Sequence, residues 1–213
     1  MSIARLRSYQ GPAILSYGFR PFFLLGSFYA AAAIFLWLPI YMGVVENRSA
    51  FGAIDWHVHE MLFGYLGAVA TGFLLTAIPN WTGRLPVQGK PLLWLVLLWV
   101  AGRAAIFLFS SNWLAAAVID CAFLVAVTVT AGIEIVAGRN WRNLKVLIPL
   151  SILAAANIGF HVEAHVYGQA DYSRRAGIGA AILLIMVIGG RIIPSFPRNW
   201  LVRENPGRLP ASF

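Results

Sequence analysis

Residues 113–136 read WLAAAVIDCAFLVAVTVTAGIEIV. A helix of this length and apolarity can cross a hydrocarbon core of about 30 Å, which takes about 20 residues. Over the whole chain, 60% of the residues are hydrophobic and 11% are charged, which is typical of a polytopic membrane protein. The predicted membrane helices lie near residues 21–42, 60–79, 91–110, 113–136, 146–167 and 176–196.

The loops between these stretches are too short for another folded domain. We therefore predict an all-α membrane protein, a six-transmembrane-helix bundle in which residues 1–213 form a single integral membrane domain. The sequence has no Gly-rich phosphate loop, nucleophile triad or paired-cysteine metal site. It thus gives no sign of soluble enzyme chemistry, and it identifies no catalytic residue.

The basic residues give the chain its net charge of +8. Most of them precede the first predicted helix or follow the second, fourth and sixth: Arg5, Arg7, Arg20, Arg84, Lys90, Arg139, Arg142, Lys145, Arg198, Arg203 and Arg208. The opposite face has Arg48, Arg174 and Arg175. By the positive-inside rule, both termini are cytoplasmic. The charge then reflects topology, so we expect membrane lipid as a partner and no nucleic acid.

The four histidines fall into two pairs, His57 with His59 and His161 with His165. Each pair lies at the end of a predicted helix, and the topology above puts all four on the outer face of the membrane. Imidazole is a ligand for iron, copper and zinc. The four histidines are therefore candidate metal ligands.

Helix geometry restricts what each pair can hold. His161 and His165 are four residues apart and share one helix face, so they could chelate a bare ion but not sandwich a porphyrin. His57 and His59 are two apart, so one of them should face the bundle and the other should point away. A haem would therefore need one histidine from each of two helices.

Two acids accompany the histidines. Glu60 is three residues after His57, within reach to accept a hydrogen bond from that imidazole and fix its tautomer. Glu163 lies between the histidines of the other pair. Intramembrane histidines and acids also serve as proton relays, and histidines at helix ends can simply bind water or headgroups. The sequence does not separate these uses from metal ligation.

Charged residues inside the predicted helices need partners, since an unpaired charge at mid-bilayer costs about 2.5–3.5 kcal/mol. Arg103 and Asp120 lie at similar depths on either side of a short turn, which predicts a structural bridge; a relay or a cofactor propionate contact is the alternative. Glu134 is expected to snorkel or to meet Arg139. Arg191 follows two glycines near the inner surface, where it snorkels or binds an anion or propionate.

Five blocks, in order along the chain, carry a resemblance to a known family. They are SYGFRPFFL at 16–24, WHVHEMLFG at 56–64, GFLLTAIPNWTGR at 72–84, NWRN at 140–143 and GGRIIP at 189–194. Together they resemble the NnrS family. The resemblance implies a multi-pass protein of the bacterial inner (cytoplasmic) membrane that contains haem and copper. It also implies a role in denitrification and in the response to nitric oxide and nitrosative stress.

The resemblance implies a set of cofactor residues as well. A histidine from each pair would supply the axial or copper ligands, two arginines would contact propionates, and two acids would support the histidines. These candidates are His57, His59, His161 and His165, then Arg103 and Arg191, then Glu60 and Glu163. Nitric oxide is the expected small-molecule partner, and whether the protein turns over a substrate is left open.

Members of the family usually have about twice as many membrane helices as the six predicted here. The chain therefore corresponds to an N-terminal half: a fragment, a truncated product, or a short variant that forms a homodimer. Ligands from a second half would then be missing. Two other functions agree with the same residues. One is a proton-coupled transporter or carrier that uses the histidines and acids as a relay, and the other is a structural partner without a cofactor.

Overall fold

We describe the fold from a computed structural model. The described residues are 9–109, 111–204 and 207–210, without the side chain of Arg191. They form the helices α1 (Phe19–Tyr41), α2 (Ala53–Thr82), α3 (Lys90–Leu108), α4 (Trp113–Ala137), α5 (Leu147–Tyr167) and α6 (Asp171–Glu204). A 3₁₀ segment, Trp141–Val146, leads into α5, and residues 60–65 of α2 are π-helical.

All six helices are long and apolar enough to span a membrane. For α5, the span includes the 3₁₀ segment that precedes it. Within the described ranges there is no strand. The prediction of an all-α, six-helix membrane protein is confirmed, whereas the cytoplasmic orientation of the termini stays a prediction. We call the end with the α1–α2, α3–α4 and α5–α6 loops the histidine end, and the opposite end the basic end.

The central helix of the bundle is α2. In its most apolar stretch 61% of the residues are buried, against 17% in α1 and 24% in α6. The two outlying helices pack along one side each, α1 on α2 and α6 on α5, while α4 contacts α2, α3 and α5. The helices α1 and α6 therefore direct most of their apolar side chains outward, where lipid would contact them.

The start of α2 differs from its prediction. The helix begins at Ala53 rather than near residue 60, so His57 and His59 lie within it. Two polar residues of this first part, Asp55 and His59, have partners that the apolar pattern does not show. Oδ2 of Asp55, for example, accepts a hydrogen bond from the backbone N–H of Ala170, at 3.1 Å, just before α6. Tertiary contacts thus extend the helix beyond its apolar stretch.

Candidate metal centre

A cluster of polar side chains is buried between α2, α3, α4 and α5. It lies below the histidine end: His59 is six residues after Ala53, or about 9 Å along the helix. Each member is at most 7% exposed. We call the following residues the polar cluster: His59, Glu60, Arg103, Asp120, Asn157 and His161.

Two glycines make room for the polar cluster. A Cβ atom on Gly64 would lie 2.4 Å from Nη1 of Arg103. A Cβ atom on Gly102 would lie 2.9 Å from Oδ1 and 3.1 Å from Cα of Asp120. Gly64 belongs to the π-helical part of α2, and π-helical turns inside α-helices are frequent at functional sites. The helices can approach each other closely at this level because both positions lack a side chain.

Arg103 connects the two acids of the polar cluster. Its Nη1 donates a hydrogen bond to Oε2 of Glu60 over 2.6 Å, and its Nη2 donates to Oδ1 of Asp120. The hydroxyl of Tyr29, from α1, also donates to Oε2 of Glu60. The predicted bridge between Arg103 and Asp120 is confirmed, and Glu60 is a second acid partner. A guanidinium can be buried here because it is paired on both sides.

Asp120 is the point where two histidines meet. Its Oδ2 lies 3.2 Å from Nε2 of His59 and 3.0 Å from Nε2 of His161. The amide nitrogen of Asn157 donates to the same oxygen over 2.9 Å, and the amide oxygen lies 3.0 Å from Nε2 of His59. Nδ1 of His59 lies 3.0 Å from Oε1 of Glu60. Both ring nitrogens of His59 therefore face oxygen atoms.

Aromatic rings enclose these two histidines. The ring of Phe51 lies 4.8 Å from that of His59 and 5.0 Å from that of His161, measured between centroids. Phe63 and Phe160 each contact the His59 ring at 5.2 Å. Phe51 comes from the α1–α2 loop and is buried. The rings leave the polar cluster in an apolar environment, where its electrostatic interactions are stronger than in water.

The other histidine of each pair points away from the polar cluster. His57 is half-buried and stacks on Trp37, with centroids 4.2 Å apart and planes 21° apart. Its Nδ1 is buried without a hydrogen-bond partner among the described residues. His165 is exposed and stacks on Trp113 at 4.3 Å and 16°. The prediction that only one of His57 and His59 faces the bundle is confirmed.

The four predicted ligands thus divide into two classes. We call His59 and His161 the inner histidines, and His57 and His165 the outer histidines. The inner rings are 5.2 Å apart between centroids. A cavity of about 230 Å³ at the histidine end is lined by His161 and His165, among others, so it touches one histidine of each class.

The other predicted site residues have separate positions. Glu60 contacts His59 rather than His57, because its side chain points into the bundle. Glu163 accepts hydrogen bonds from the backbone N–H groups of residues 172 and 173, each over 2.8 Å, at the start of α6. Arg191 is in α6, and its side chain lies outside the described part of the structure. Its predicted anion or propionate contact stays a prediction.

The sequence analysis did not identify Asn157, a member of the polar cluster, or Tyr29 and Phe51, which contact the cluster. Asn157 had a usable signal, because it is a polar residue four positions before His161 in an apolar helix and therefore shares its face. Tyr29 and Phe51 had none, since aromatic residues are common throughout this chain. Their roles arise from packing between distant segments.

The polar cluster fits a bare metal ion. One ligand atom from each of His59, Asp120 and His161 can be chosen so that all lie within 4.8 Å of one another. Ligands at bond lengths of about 2.0–2.2 Å in a tetrahedral site stand about 3.4 Å apart, close to the distances observed. Arg103 occupies Oδ1 of Asp120 and leaves Oδ2 facing both histidines. Imidazole ligands suit copper, iron and zinc, and zinc also accepts carboxylate oxygen.

The same two histidines do not fit a haem held between them. The rings of His59 and His161 form an edge-to-face pair at 79°, and both face Oδ2 of Asp120 from within hydrogen-bond distance. Axial ligands of a haem approach from opposite sides of a wide, flat macrocycle. Phe51, which contacts both rings, would block that arrangement. The haem prediction therefore rests on the resemblance and on histidines other than this pair.

We compared the chain with family models, curated proteins and solved structures to determine its family. The model of the family described as NnrS protein matches residues 13–212 of the chain. No curated protein and no solved structure matched it. The matched range includes all six helices and every member of the polar cluster. The chain is a multi-pass membrane protein that belongs to the NnrS family.

Proposed function

We propose that this protein binds copper in the bacterial inner membrane and acts there in the response to nitric oxide and in denitrification. The observation that carries the copper site is the convergence of two imidazoles on one carboxylate oxygen. The role in nitric oxide response rests on membership of the family and on the resemblance stated above. The metal ligands in this proposal are His59, Asp120 and His161.

The surrounding side chains would position these ligands. Glu60 accepts the hydrogen bond from Nδ1 of His59, which leaves Nε2 for the metal. A carboxylate behind a metal-bound imidazole fixes its tautomer and raises its basicity. Arg103 holds the other oxygen of Asp120. Asn157 donates from its amide nitrogen to Oδ2 of Asp120, which helps to hold that oxygen beside both imidazoles.

The charge of the polar cluster favours a monovalent ion. Glu60 and Asp120 contribute two negative charges and Arg103 one positive charge, so neutral histidines leave a formal charge of −1. One Cu⁺ ion brings the cluster to neutrality, whereas Zn²⁺ or Cu²⁺ leaves it positive. A net charge is costly in a buried, apolar environment. We therefore propose Cu⁺ as the preferred ion, held chiefly by the two imidazoles, with the Asp120 carboxylate balancing its charge.

Nitric oxide can reach the proposed copper site without a dedicated channel. It is small, neutral and soluble in lipid, so it needs no polar channel. The cavity of about 230 Å³ lined by Phe51, His161 and His165 offers a route from the histidine end to one of the proposed ligands. When bound, copper would supply a coordination position for such a molecule. Phe51 and its aromatic neighbours would limit the water that follows it.

A metal-binding measurement tests this proposal. The purified protein is titrated with Cu⁺ in the presence of a competing chelator, alongside His161→Gln and the matched control His165→Gln, four residues away on the same helix. We expect one tightly bound copper per chain, lost in His161→Gln and kept in His165→Gln. Equal copper binding by the two variants would rule out the proposed ligand set. Competition with Zn²⁺ tests the preference for a monovalent ion.

The haem of the resemblance needs a separate test. The copper proposal does not use the outer histidines. Among the described residues, the buried Nδ1 of His57 has no hydrogen-bond partner, and His165 is exposed. An optical spectrum of the purified protein reports haem directly. A Soret band lost in His57→Gln or His165→Gln and kept in His161→Gln supports haem at an outer histidine. Absence of any Soret band after expression with added haem contradicts haem binding.

A proton relay is the second candidate function, favoured by the continuous hydrogen-bonded path through the polar cluster. The path runs from Tyr29 through Glu60, His59 and Asp120 to His161. Chains of this kind carry protons in pumps and transporters. Proton or solute flux in proteoliposomes that follows a pH gradient and survives copper removal would favour the relay. Flux that is absent under both conditions would exclude it.

A further inference from the structure

A second cavity, of about 400 Å³, lies at the basic end, far from the polar cluster. It is formed where the end of α2, the 3₁₀ segment before α5 and the middle of α6 meet. Its lining residues come from three of the five blocks that carry the family resemblance and from their neighbours: Trp81, Asn140, Arg142, Asn143, Val146, Ile188, Ile192 and Ser195.

The lining has a polar side and an apolar side. Arg142 is exposed, and its guanidinium has no hydrogen-bond or ion-pair partner among the residues that the structure describes. The apolar side consists of Val146, Ile188 and Ile192. Asn140 is held in place by a hydrogen bond from its amide to the backbone oxygen of Trp81. The cavity therefore offers one cation beside polar groups and an aliphatic wall.

The surroundings of the cavity are positively charged. None of the described residues that line it is acidic. Glu134, which was predicted to snorkel or to meet Arg139, is paired with Arg84: Nε of the arginine lies 2.7 Å from Oε2 of the glutamate. Arg139 and Lys145 are exposed on either side of Arg142 in sequence. The cavity thus attracts anions.

The position of the cavity along α6 puts it at the level of the membrane surface. Ile192 lies 21 residues after Asp171, the first residue of α6 at the histidine end. At 1.5 Å per residue this is about 32 Å of helix. The hydrocarbon core of a bilayer is about 30 Å thick, so the cavity lies at the level of the headgroups on the basic end.

We propose that this cavity binds the phosphate group of an anionic phospholipid. Arg142 pairs with the phosphate, the polar side of the cavity faces the glycerol and headgroup oxygens, and the acyl chain runs along Ile188 and Ile192. Basic pockets between membrane helices at the cytoplasmic surface suit anionic headgroups, and the positive-inside rule predicts that the basic end lies at that surface. A free phosphate ion shares the chemistry of the charged part, but it does not use the aliphatic wall. The site is independent of the metal proposal.

Native mass spectrometry of the full chain, released from mixed micelles, tests this proposal. Phosphatidylglycerol and phosphatidylcholine with the same acyl chains compete for binding to the wild type, Arg142→Gln and Arg139→Gln. The last variant is the matched control, because it removes the same charge from the same loop outside the cavity. We expect Arg142→Gln to lower the preference for phosphatidylglycerol about fivefold to tenfold, and Arg139→Gln to lower it less than twofold.

Three results would contradict the proposal. One is an equal effect of the two substitutions, which would indicate diffuse attraction between lipid and a basic surface. Another is no preference for phosphatidylglycerol in the wild type. The third is displacement of the lipid by millimolar inorganic phosphate with glycerol phosphate, which would assign the cavity to a soluble phosphate. Binding that resists both soluble anions and depends on Arg142 supports the lipid.

Discussion

The inner and the outer histidines come from the same two sequence pairs, yet their surroundings are opposite. His59 and His161 are at most 2% exposed and face a carboxylate oxygen from a third helix. His57 and His165 stack on tryptophan rings, and within the described ranges neither has a carboxylate at hydrogen-bond distance. The residue type is the same in both classes. The acid that joins the inner pair is what separates the two classes.

This difference indicates that the acids define the polar cluster, and with it the proposed metal site, as much as the histidines do. Glu60 and Asp120 face the two ring nitrogens of His59, Asp120 also faces His161, and Arg103 holds both acids. An outer histidine is positioned by stacking, which fixes the plane of the ring but supplies no charge. Substitutions in the acids should therefore matter more than substitutions in the outer histidines.

The largest effect is expected for Asp120→Ala. It leaves Arg103 with one acid partner and removes the oxygen that both inner histidines share. Breaking a buried ion pair from one side costs about 3–5 kcal/mol. Denaturant unfolding in mixed micelles measures the free energy of unfolding. The control is Glu46→Ala, which removes an exposed acid paired with Arg48 at 3.3 Å and should cost less than about 1 kcal/mol. Equal stability of the two variants would show that the inner pair has no structural acid.

A smaller loss of stability is expected for Gly102→Ala. The added Cβ would lie 2.9 Å from Oδ1 and 3.1 Å from Cα of Asp120, so α3 and α4 must move apart. Overpacking of this kind costs about 1–3 kcal/mol. Gly179→Ala in α6 is the matched control, because its Cβ would meet no atom within 4 Å. Thermal unfolding should show a lowered midpoint for the first variant alone; a lowered midpoint for both would point to a general effect of the added methyl.

The acid beside each histidine pair gives the next comparison. Glu60→Gln removes the carboxylate behind His59 and should weaken copper binding about 10-fold to 100-fold, as losses of such supporting groups do. Glu163→Gln should leave the copper affinity unchanged, because that carboxylate binds the start of α6. Chelator competition measures both affinities. A greater loss in Glu163→Gln would place the metal at the outer histidines.

The smallest effect is expected for the outer histidines themselves. His57→Ala and His165→Ala each remove one stacked pair, worth about 0.5–1.5 kcal/mol. Unfolding free energies should fall by no more than this, and copper content should stay the same. A much larger destabilisation by His57→Ala would show that its half-buried ring has a structural role beyond its contact with Trp37.

Much of the fold follows from apolar length alone, since six apolar stretches predict six helices. The pairing of Arg103 with Asp120 also follows, because a short turn sets two charges at equal depth. The junction of His59 with His161 does not follow, because it depends on how α2, α4 and α5 pack. The start of α2 at Ala53 has the same cause: its polar residues are helical owing to distant partners.

The copper content of two double variants decides whether the inner or the outer histidines bind copper. His59→Gln with His161→Gln removes the inner histidines, and His57→Gln with His165→Gln removes the outer ones, with the same chemistry at the same end of the bundle. Purified proteins are loaded with Cu⁺, dialysed and measured by elemental analysis. We expect about one copper per chain in the outer double variant and none in the inner one. Copper retained by the inner double variant, or lost from the outer one, would show that the inner histidines are not the copper ligands.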